Sequence, residues 1–170
     1  MPQELELLTG APVVDVAVTD LEGLLKLARD EKVALTVVGP EVPLVAGVVD
    51  KFRAAGLRIF GPRAIAAQLE GSKAFAKDFL LRHNIPTARY AVFTQLNPAL
   101  AYVQKHGAPI VIKADGLAAG KGVVVALTLA DAEQALHDML GAHSFGEASA
   151  RVVIEEFLDG APRPGSRASC

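Results

Sequence analysis

The sequence predicts an α/β protein in two parts: a parallel sheet of the βαβ type, then an α+β part with a glycine-rich hairpin. The first third of the chain alternates short apolar runs with amphipathic stretches, as parallel sheets with crossover helices do. Residues 68–72 interrupt this alternation and lead into a capped helix. Residues 109–126 then place two β-branched runs on either side of a loop rich in glycine and lysine.

The composition excludes several classes of function. The chain has 170 residues and a net charge of −2, which gives no electrostatic footprint for nucleic acid. No nucleic-acid partner is therefore expected. The sequence has no apolar run long enough to span a bilayer and no signal peptide. We therefore expect no membrane partner and a cytoplasmic location. Cys170 is the only cysteine, which excludes an internal disulfide. No metal site is expected among the four scattered histidines: His83, His106, His137 and His143.

Residues 1–67 are predicted to form one domain around a parallel sheet. Three apolar, β-branched runs predict its strands: Val13–Val18, Val33–Val38 and Leu57–Phe60. A Thr-x-x-Glu capping box at Thr19–Glu22 predicts the start of the first helix. A second helix is predicted from about Leu44 to Ala55.

Two Gly-Pro pairs follow predicted strands in this domain. Gly39-Pro40-Glu41 and Gly61-Pro62 stand at carboxyl ends of strands, where open parallel sheets bind ligands. The glycines permit close backbone approach, and the carboxylate of Glu41 could hold an amine or a hydroxyl group. Gly39, Pro40 and Glu41 are therefore candidate substrate-binding residues. The alternative is a pair of turns that only end the strands.

Ser72 is predicted to cap a helix from Lys73 to His83. Four residues form its predicted buried stripe: Phe75, Ala76, Phe79 and Leu80. Lys73 and Lys77 are predicted to share the opposite face, and Asn84 is expected to end the helix in the left-handed conformation. Because the helix dipole disfavours a lysine in the first turn, Lys73 suggests a functional partner such as phosphate. A solvated lysine is the alternative.

Two further helices are predicted from their caps. Asn97, followed by Pro98, predicts the start of a helix that ends at Gly107. Thr128 is expected to cap the helix Leu129–Leu140. Residues 141–150 are predicted as a loop and residues 151–158 as a strand.

The predicted hairpin carries a loop suited to phosphate. Gly116, Gly120 and Gly122 allow backbone N–H groups to approach an anion, and Lys113 and Lys121 add positive charge. The spacing is not that of a Walker A loop, since three residues separate Gly116 from Gly120 and Gly122 follows Lys121. It is not a dinucleotide fingerprint either, since no helix follows. A lid over a nucleotide is predicted; an ordinary hairpin with solvated lysines is the alternative.

The last predicted strand ends in two carboxylates. Glu155 and Glu156 break its apolar pattern, and Phe157 and Leu158 follow. This strand end could hold the edge of an adenine ring, or it could be a charged terminus with no ligand. Residues 161–170 lack large apolar side chains and are predicted to be a disordered tail.

Four stretches resemble the phosphoribosylamine–glycine ligase family of purine biosynthesis, an ATP-grasp family: VVGPEVPLVAGVVD, RIFGPRAIAAQLEGSKAFAKDFL, GAPIVIKADGLAAGKGVVVA and RVVIEEFLDG. The resemblance implies a partial Rossmann-like (pre-ATP-grasp) sheet at residues 1–67 and the first part of an ATP-grasp domain at residues 68–160. It implies an ADP-forming ligase that uses ATP, glycine and phosphoribosylamine with Mg²⁺ or Mn²⁺. Other ATP-grasp ligases acting on a different acid remain an alternative.

The resemblance also implies residue roles. Lys73 and Lys113 are expected to be catalytic and to bind the nucleotide phosphates. Gly116, Gly120, Lys121 and Gly122 are expected to form the mobile lid. The adenine-binding hinge is expected at Glu155, Glu156, Phe157 and Leu158, with the backbone of Phe157 and Leu158 facing the base.

The sequence departs from the family pattern in three places. The glycine-rich loop that usually opens the family is absent, Ala161-Pro162 stands where a ribose-binding glutamate is usual, and the segment with the Mg²⁺ ligands is missing. The chain is therefore expected to be a fragment that is inactive alone, with the remainder of the enzyme as a partner. A non-catalytic nucleotide-binding remnant is the alternative.

Overall fold

The computed structural model describes residues 13–116, 122–141 and 151–159. The chain divides into two compact units, Met1–Ala67 and Gln68–Cys170, and each has its own hydrophobic core. None of the helices within the described ranges is long and apolar enough to cross a membrane.

The first unit contains a two-stranded parallel sheet with helices. Its elements are α1 (Leu21–Asp30), β1 (Thr36–Val37), α2 (Glu41–Val45), α3 (Val48–Ala54) and β2 (Ile59–Phe60). Thr36 pairs with Ile59 and Val37 with Phe60, so the predicted parallel βαβ arrangement is confirmed. The core lies between α1, α3 and β2 and contains Leu25, Ala28, Val48, Val49, Phe52 and Ile59.

The start of the first unit differs from the prediction. Residues 13–18 form no strand, and Val13, Val14 and Val18 are 42%, 50% and 48% exposed. β-branched side chains favour a strand when they pack against a buried surface, and these three valines have none. The cap of α1 is Asp20 rather than Thr19, because the Asp20 carboxylate accepts a hydrogen bond of 2.9 Å from the Gly23 N–H. The predicted capping box is therefore wrong.

The predicted helix from Leu44 to Ala55 is divided in two. Gly47 adopts a left-handed conformation with φ of +91° between α2 and α3. A residue in this conformation cannot continue an α-helix. The prediction missed this break because Gly47 is a lone glycine inside an otherwise regular helical pattern.

The second unit is built on a four-stranded antiparallel sheet. Helix α4 (Ala64–Gly71) leads into it, and its elements are α5 (Lys73–Arg82), β3 (Tyr90–Phe93), α6 (Leu96–His106), β4 (Ile110–Ala114), β5 (Val123–Ala126), α7 (Leu129–Leu136) and β6 (Val152–Glu156). The strand order is β3-β6-β4-β5. Ile110 pairs with Ala126 and Lys113 with Val123, which confirms the predicted hairpin.

The two faces of this sheet differ in chemistry. Ile110, Ile112 and Ala114 are buried in the main apolar core, whereas the alternate residues Val111 and Lys113 are half-buried on the opposite face. Helices α6 and α7 contribute Ala99, Val103, Ala132 and Leu136 to that core, and β6 contributes Val152 and Ile154. The opposite face carries the ionic groups described below.

Four helix ends of the second unit follow the sequence signals. Ser72 caps α5 by accepting a hydrogen bond of 3.1 Å from the Phe75 N–H. Asn84 has a φ of +54° and Gly107 a φ of +75°, so both end their helices as predicted. Thr128 caps α7 through a capping box with Asp131.

Two helix predictions need correction. Helix α6 is capped by Gln95 and begins at Leu96, so Asn97 and Pro98 lie inside its first turn. Helix α7 ends at Leu136 and continues as a π-helical turn, His137–Gly141. Met139 and Leu140 of that turn are buried.

Candidate functional site

Lys113 and Glu155 are diagonal neighbours on the ionic face of the sheet. Val111 of β4 pairs with Glu155 of β6, and Lys113 pairs with Val153, so all four side chains project to one face. Lys113 Nζ lies 2.9 Å from Glu155 Oε1. The contact is an ion pair without the alignment of a hydrogen bond.

Lys77 of α5 binds the other oxygen of the same carboxylate. Its Nζ lies 2.8 Å from Glu155 Oε2 and donates a hydrogen bond of 2.8 Å to Thr87 Oγ1. The Lys77 and Glu155 side chains are 11% and 7% exposed, so the pair is buried. Lys77 was predicted on the face opposite the buried stripe, but that face is the buried one, and a carboxylate partner compensates for the desolvation of the lysine.

The predicted buried stripe of α5 is also wrong, because the buried face of this helix carries Lys77. Ala74 and Lys77 are the buried residues of this helix. The four apolar residues expected there are only half-buried: Phe75, Ala76, Phe79 and Leu80. Helical periodicity alone cannot show that a lysine occupies the inward position.

Lys73 lies at the start of α5 and reaches toward the end of β4. Its Nζ donates a hydrogen bond of 2.9 Å to the Gly116 carbonyl. Burial lowers the pKa of Lys73 below the usual lysine value, and the charge of Lys113 lowers it further, while Asp115 opposes both effects. Lys73 and Lys113, from different elements, thus come together at the carboxyl end of β4.

Asp115 follows β4 directly and is 5% exposed. Its carboxylate accepts hydrogen bonds from the Ala74 N–H at 3.1 Å and from Arg151 Nε at 2.6 Å. Burial disfavours its charged form, but these two donors and Ser72 outweigh that effect and hold the pKa of Asp115 below its usual range. Three residues of this site were not among those predicted from the sequence: Asp115, Arg151 and Lys77.

The site carries an excess of positive charge. Four cations surround the two buried carboxylates, Asp115 and Glu155: Lys73, Lys77, Lys113 and Arg151. A cluster of this kind attracts an anion with several charges, such as a polyphosphate.

The glycine-rich segment is described only at its two ends. Gly116 has a φ of +95°, and the Gly122 carbonyl accepts a hydrogen bond of 2.7 Å from the Ala114 N–H. Gly120 and Lys121 of the predicted lid lie outside the described residues, as do the predicted tail at 161–170 and residues 142–150 of the loop predicted at 141–150. Gly141 itself belongs to the π-helical turn and not to a loop.

The predicted hinge residues lie at the end of β6. Glu156 binds Arg89, whose N–H and Nε donate hydrogen bonds of 2.9 Å and 2.7 Å to its two carboxylate oxygens. Phe157 and Leu158 follow the strand with exposed side chains. Glu155 faces the lysines, and adjacent Glu156 faces Arg89, so the two carboxylates have different partners.

Three further site candidates belong to the first unit. Gly39 and Pro40 follow β1, Pro40 is the cap residue of α2, and Glu41 is exposed in its first turn. The chain thus places Gly39, Pro40 and Glu41 at the carboxyl end of a parallel strand, as predicted from the sequence.

The described residues offer no metal centre. Among residues 13–116, 122–141 and 151–159, no three His, Cys, Asp or Glu side chains group in a way that could hold a metal ion. The buried carboxylates of Asp115 and Glu155 are already bound to cationic side chains.

Two family models match the chain in sequence order. Residues 5–70 match the N domain of phosphoribosylglycinamide synthetase, and residues 71–162 match its ATP-grasp (A) domain. The phosphoribosylamine–glycine ligase of Xanthomonas axonopodis pv. citri (strain 306) is 74% identical over 147 residues, which are 86% of this chain. Those residues are 34% of the relative, so the chain spans about a third of the length of the curated relatives it matches.

Solved structures agree with this match. The phosphoribosylamine–glycine ligase of Thermotoga maritima is 32% identical, with a TM-score of 0.59 over 74% of this chain and 30% of that one. The biotin carboxylase of Campylobacter jejuni, solved as a complex with beta-gamma-ATP, is 18% identical, with a TM-score of 0.69 over 83% of this chain and 32% of that one. The second likeness concerns the fold alone. The chain belongs to the phosphoribosylglycinamide synthetase family, with both an N-domain segment and an ATP-grasp segment.

Proposed function

We propose that the second unit binds the phosphates of ATP through Lys73 and Lys113, and that the chain serves the phosphoribosylamine–glycine ligase reaction. In this reaction ATP, glycine and phosphoribosylamine give glycinamide ribonucleotide, ADP and phosphate. The observation that carries the proposal is the convergence of Lys73 and Lys113 at the end of β4, beside Gly116. Residues 1–67 and 68–160 are proposed as the pre-ATP-grasp and ATP-grasp parts.

The chemistry of the cluster supports a triphosphate ligand. Lysine ammonium groups form strong charge-assisted hydrogen bonds to phosphate oxygens. Lys113 is oriented by Glu155, and Lys73 by the Gly116 carbonyl, so both ammonium groups are positioned before a ligand arrives. Gly120, Lys121 and Gly122 are proposed to complete the phosphate contacts, and residues 155–158 to hold the adenine.

The proposed reaction needs activation because a carboxylate oxygen is a poor leaving group. Phosphorylation of glycine gives an acyl phosphate, and the phosphoribosylamine nitrogen then displaces phosphate. Lys73 and Lys113 would stabilise the charge of the transferred phosphoryl group. Glu41, with Gly39 and Pro40, is proposed to bind the amine or hydroxyl groups of a substrate. The family implies Mg²⁺ or Mn²⁺, and among the described residues no three His, Cys, Asp or Glu side chains group in a way that could hold such an ion by themselves.

Calorimetric titration with ATP and Mg²⁺ tests the binding step. Lys113→Ala and Lys73→Ala should each weaken ATP binding by about 1.5–3 kcal/mol, the usual loss for a hydrogen bond to a charged group. Lys105→Ala is a matched control, because Lys105 is an exposed lysine on α6, which packs against the other face of the sheet. Equal affinity in all three variants would contradict the proposed phosphate site.

A chimera tests the ligase assignment. The matched 147 residues of the Xanthomonas relative are replaced by those of this chain, and glycine-dependent ADP release is measured with phosphoribosylamine. Turnover close to that of the parent, and its loss with Lys73→Ala, would support the proposal. ATP binding without turnover in the chimera would instead favour a nucleotide-binding segment without catalytic competence. ADP release that depends on an acid other than glycine would favour another carboxylate–amine ligase.

A further inference from the structure

Asp115 connects three elements of the second unit. Its backbone N–H donates a hydrogen bond of 2.8 Å to the Arg151 carbonyl, just before β6. Its side chain binds the Arg151 guanidinium and the first turn of α5. The end of β4, the start of β6 and the start of α5 are thereby held at one buried carboxylate.

The contacts with α5 lie on both sides of Lys73. Ser72 Oγ lies 3.1 Å from each oxygen of Asp115, and the Ala74 N–H donates to Oδ1 at 3.1 Å. Ser72 itself satisfies the Phe75 N–H, so the serine and the aspartate together bind two of the free N–H groups of this helix end. A negative charge at this end also complements the helix dipole.

The lysine side chain closes the arrangement. Lys73 Nζ donates to the carbonyl of Gly116, the residue that follows Asp115. The residues before and after Lys73 are therefore held by the Asp115 carboxylate, while the tip of Lys73 is held by the neighbouring backbone. Both the start and the end of the Lys73 side chain depend on the position of residues 115 and 116.

We propose that Asp115 is a positioning residue for nucleotide binding: it fixes the first turn of α5 at the end of β4, and it acts on the nucleotide through Lys73. This proposal rests on the proposed phosphate-binding role of Lys73. Asp115 needs no contact with the nucleotide, since its carboxylate is buried and already bound to Ser72, Ala74 and Arg151.

A double-mutant cycle on the full chain separates this role from general destabilisation. By titration with ATP and Mg²⁺, Asp115→Ala should raise the dissociation constant about tenfold, as expected for a displaced charge-assisted contact. In a Lys73→Ala background, Asp115→Ala should alter the dissociation constant by less than about twofold, because the side chain that Asp115 positions is gone. In a Lys113→Ala background, Asp115→Ala should still raise the dissociation constant about tenfold, because Lys73 is present.

Two further variants control for stability. Thr128→Ala removes the cap of α7, which is the same kind of interaction on a helix of the apolar core, and should lower the melting temperature without changing the dissociation constant. Asp115→Asn keeps an oxygen acceptor for the Ala74 N–H and should recover affinity to within about threefold of the unaltered chain. If Asp115→Ala does not fold, Ser72→Ala is used in the same cycle and should lose affinity only where Lys73 is present.

The outcomes distinguish the two proposals. If Lys73→Ala weakens ATP binding but Asp115→Ala does not, or if their effects simply multiply, the positioning role is wrong and the phosphate site stands. If neither Lys73→Ala nor Lys113→Ala changes ATP affinity, the phosphate site is wrong and the positioning role falls with it.

Discussion

Lys113 Nζ lies 2.9 Å from Glu155 Oε1, and the two side chains are diagonal neighbours on adjacent antiparallel strands. The other oxygen of Glu155 binds Lys77 at 2.8 Å. A single buried carboxylate therefore orients two ammonium groups, one from the sheet and one from α5. Removing it would leave like charges close together in a region with little water.

Glu155→Ala should be strongly destabilising. Loss of one partner from a buried ion pair costs about 3–5 kcal/mol, because the remaining charge stays desolvated. Urea denaturation followed by circular dichroism gives the free energy of unfolding. Glu156→Ala is the control, since its partner Arg89 is exposed, and it should have a much smaller effect. Similar losses in both variants would show that the Glu155 cluster is not a buried ionic centre.

ATP affinity should fall at alkaline pH, and it should do so below the usual lysine range. Burial lowers the pKa of Lys73 in the free protein, so this ammonium loses its proton earlier than an exposed lysine. Bound phosphate favours the charged form, so affinity is full below the free-state pKa and declines as the pH rises through it. Titrations from about pH 7 to about pH 10 measure this decline.

Lys73→Arg is the control for that pH profile. An arginine remains charged over the whole range, so this variant should retain ATP binding with a much flatter profile. An identical decline in Lys73→Arg would assign the titration to another group.

Gly116→Ala should lower both the stability of the folded chain and its affinity for ATP. Gly116 has a φ of +95°, and a side chain in such a conformation costs about 1–2 kcal/mol. Because its carbonyl accepts the hydrogen bond from Lys73, a shifted backbone would also displace that lysine. Gly141→Ala is a suitable control, since an added Cβ there would meet ordinary contacts at 3.9 Å and 4.0 Å. Thermal unfolding and ATP titration of both variants provide the comparison, and equal behaviour would contradict the prediction.

Asp115 should make part of the stability sensitive to acid. Its pKa is held below the usual range in the folded chain, so its contribution is fully present above the unfolded-state value of about 4 and is lost as the pH falls through the folded-state pKa. The stability difference between the unaltered chain and Asp115→Asn should be constant near neutral pH and should close in acid. A difference that does not change with pH would show that the carboxylate is not ionised in the folded state.

Local sequence signals predicted the elements whose cause is local. The β4–β5 hairpin, the Ser72 cap and the left-handed Asn84 each depend on a few adjacent residues, and the structure confirms them. The prediction of a strand at residues 13–18 was wrong, because a strand also needs a neighbouring strand or a buried face, and β propensity indicates neither. Gly47 shows the converse, since one backbone conformation divides an otherwise regular helical pattern.

The site was predictable only in part. The unusual position of Lys73 and the two carboxylates at the end of β6 were visible in the sequence. The inward position of Lys77 and the contacts of Asp115 were not, because their partners Glu155 and Arg151 lie in β6 and just before it, much later in the chain. Only the sheet register and the packing of α5 bring these groups together.

The two faces of the four-stranded sheet stabilise the second unit by different interactions. Its apolar face, with Ile110, Ile112 and Ile154, holds the second unit together by contacts that ionic strength barely affects. Its ionic face, with Lys113 and the buried Glu155, is held by ion pairs, so each charge there depends on a partner of opposite sign. A substitution on the ionic face therefore changes a balance of buried charge, whereas one on the apolar face changes only the packing.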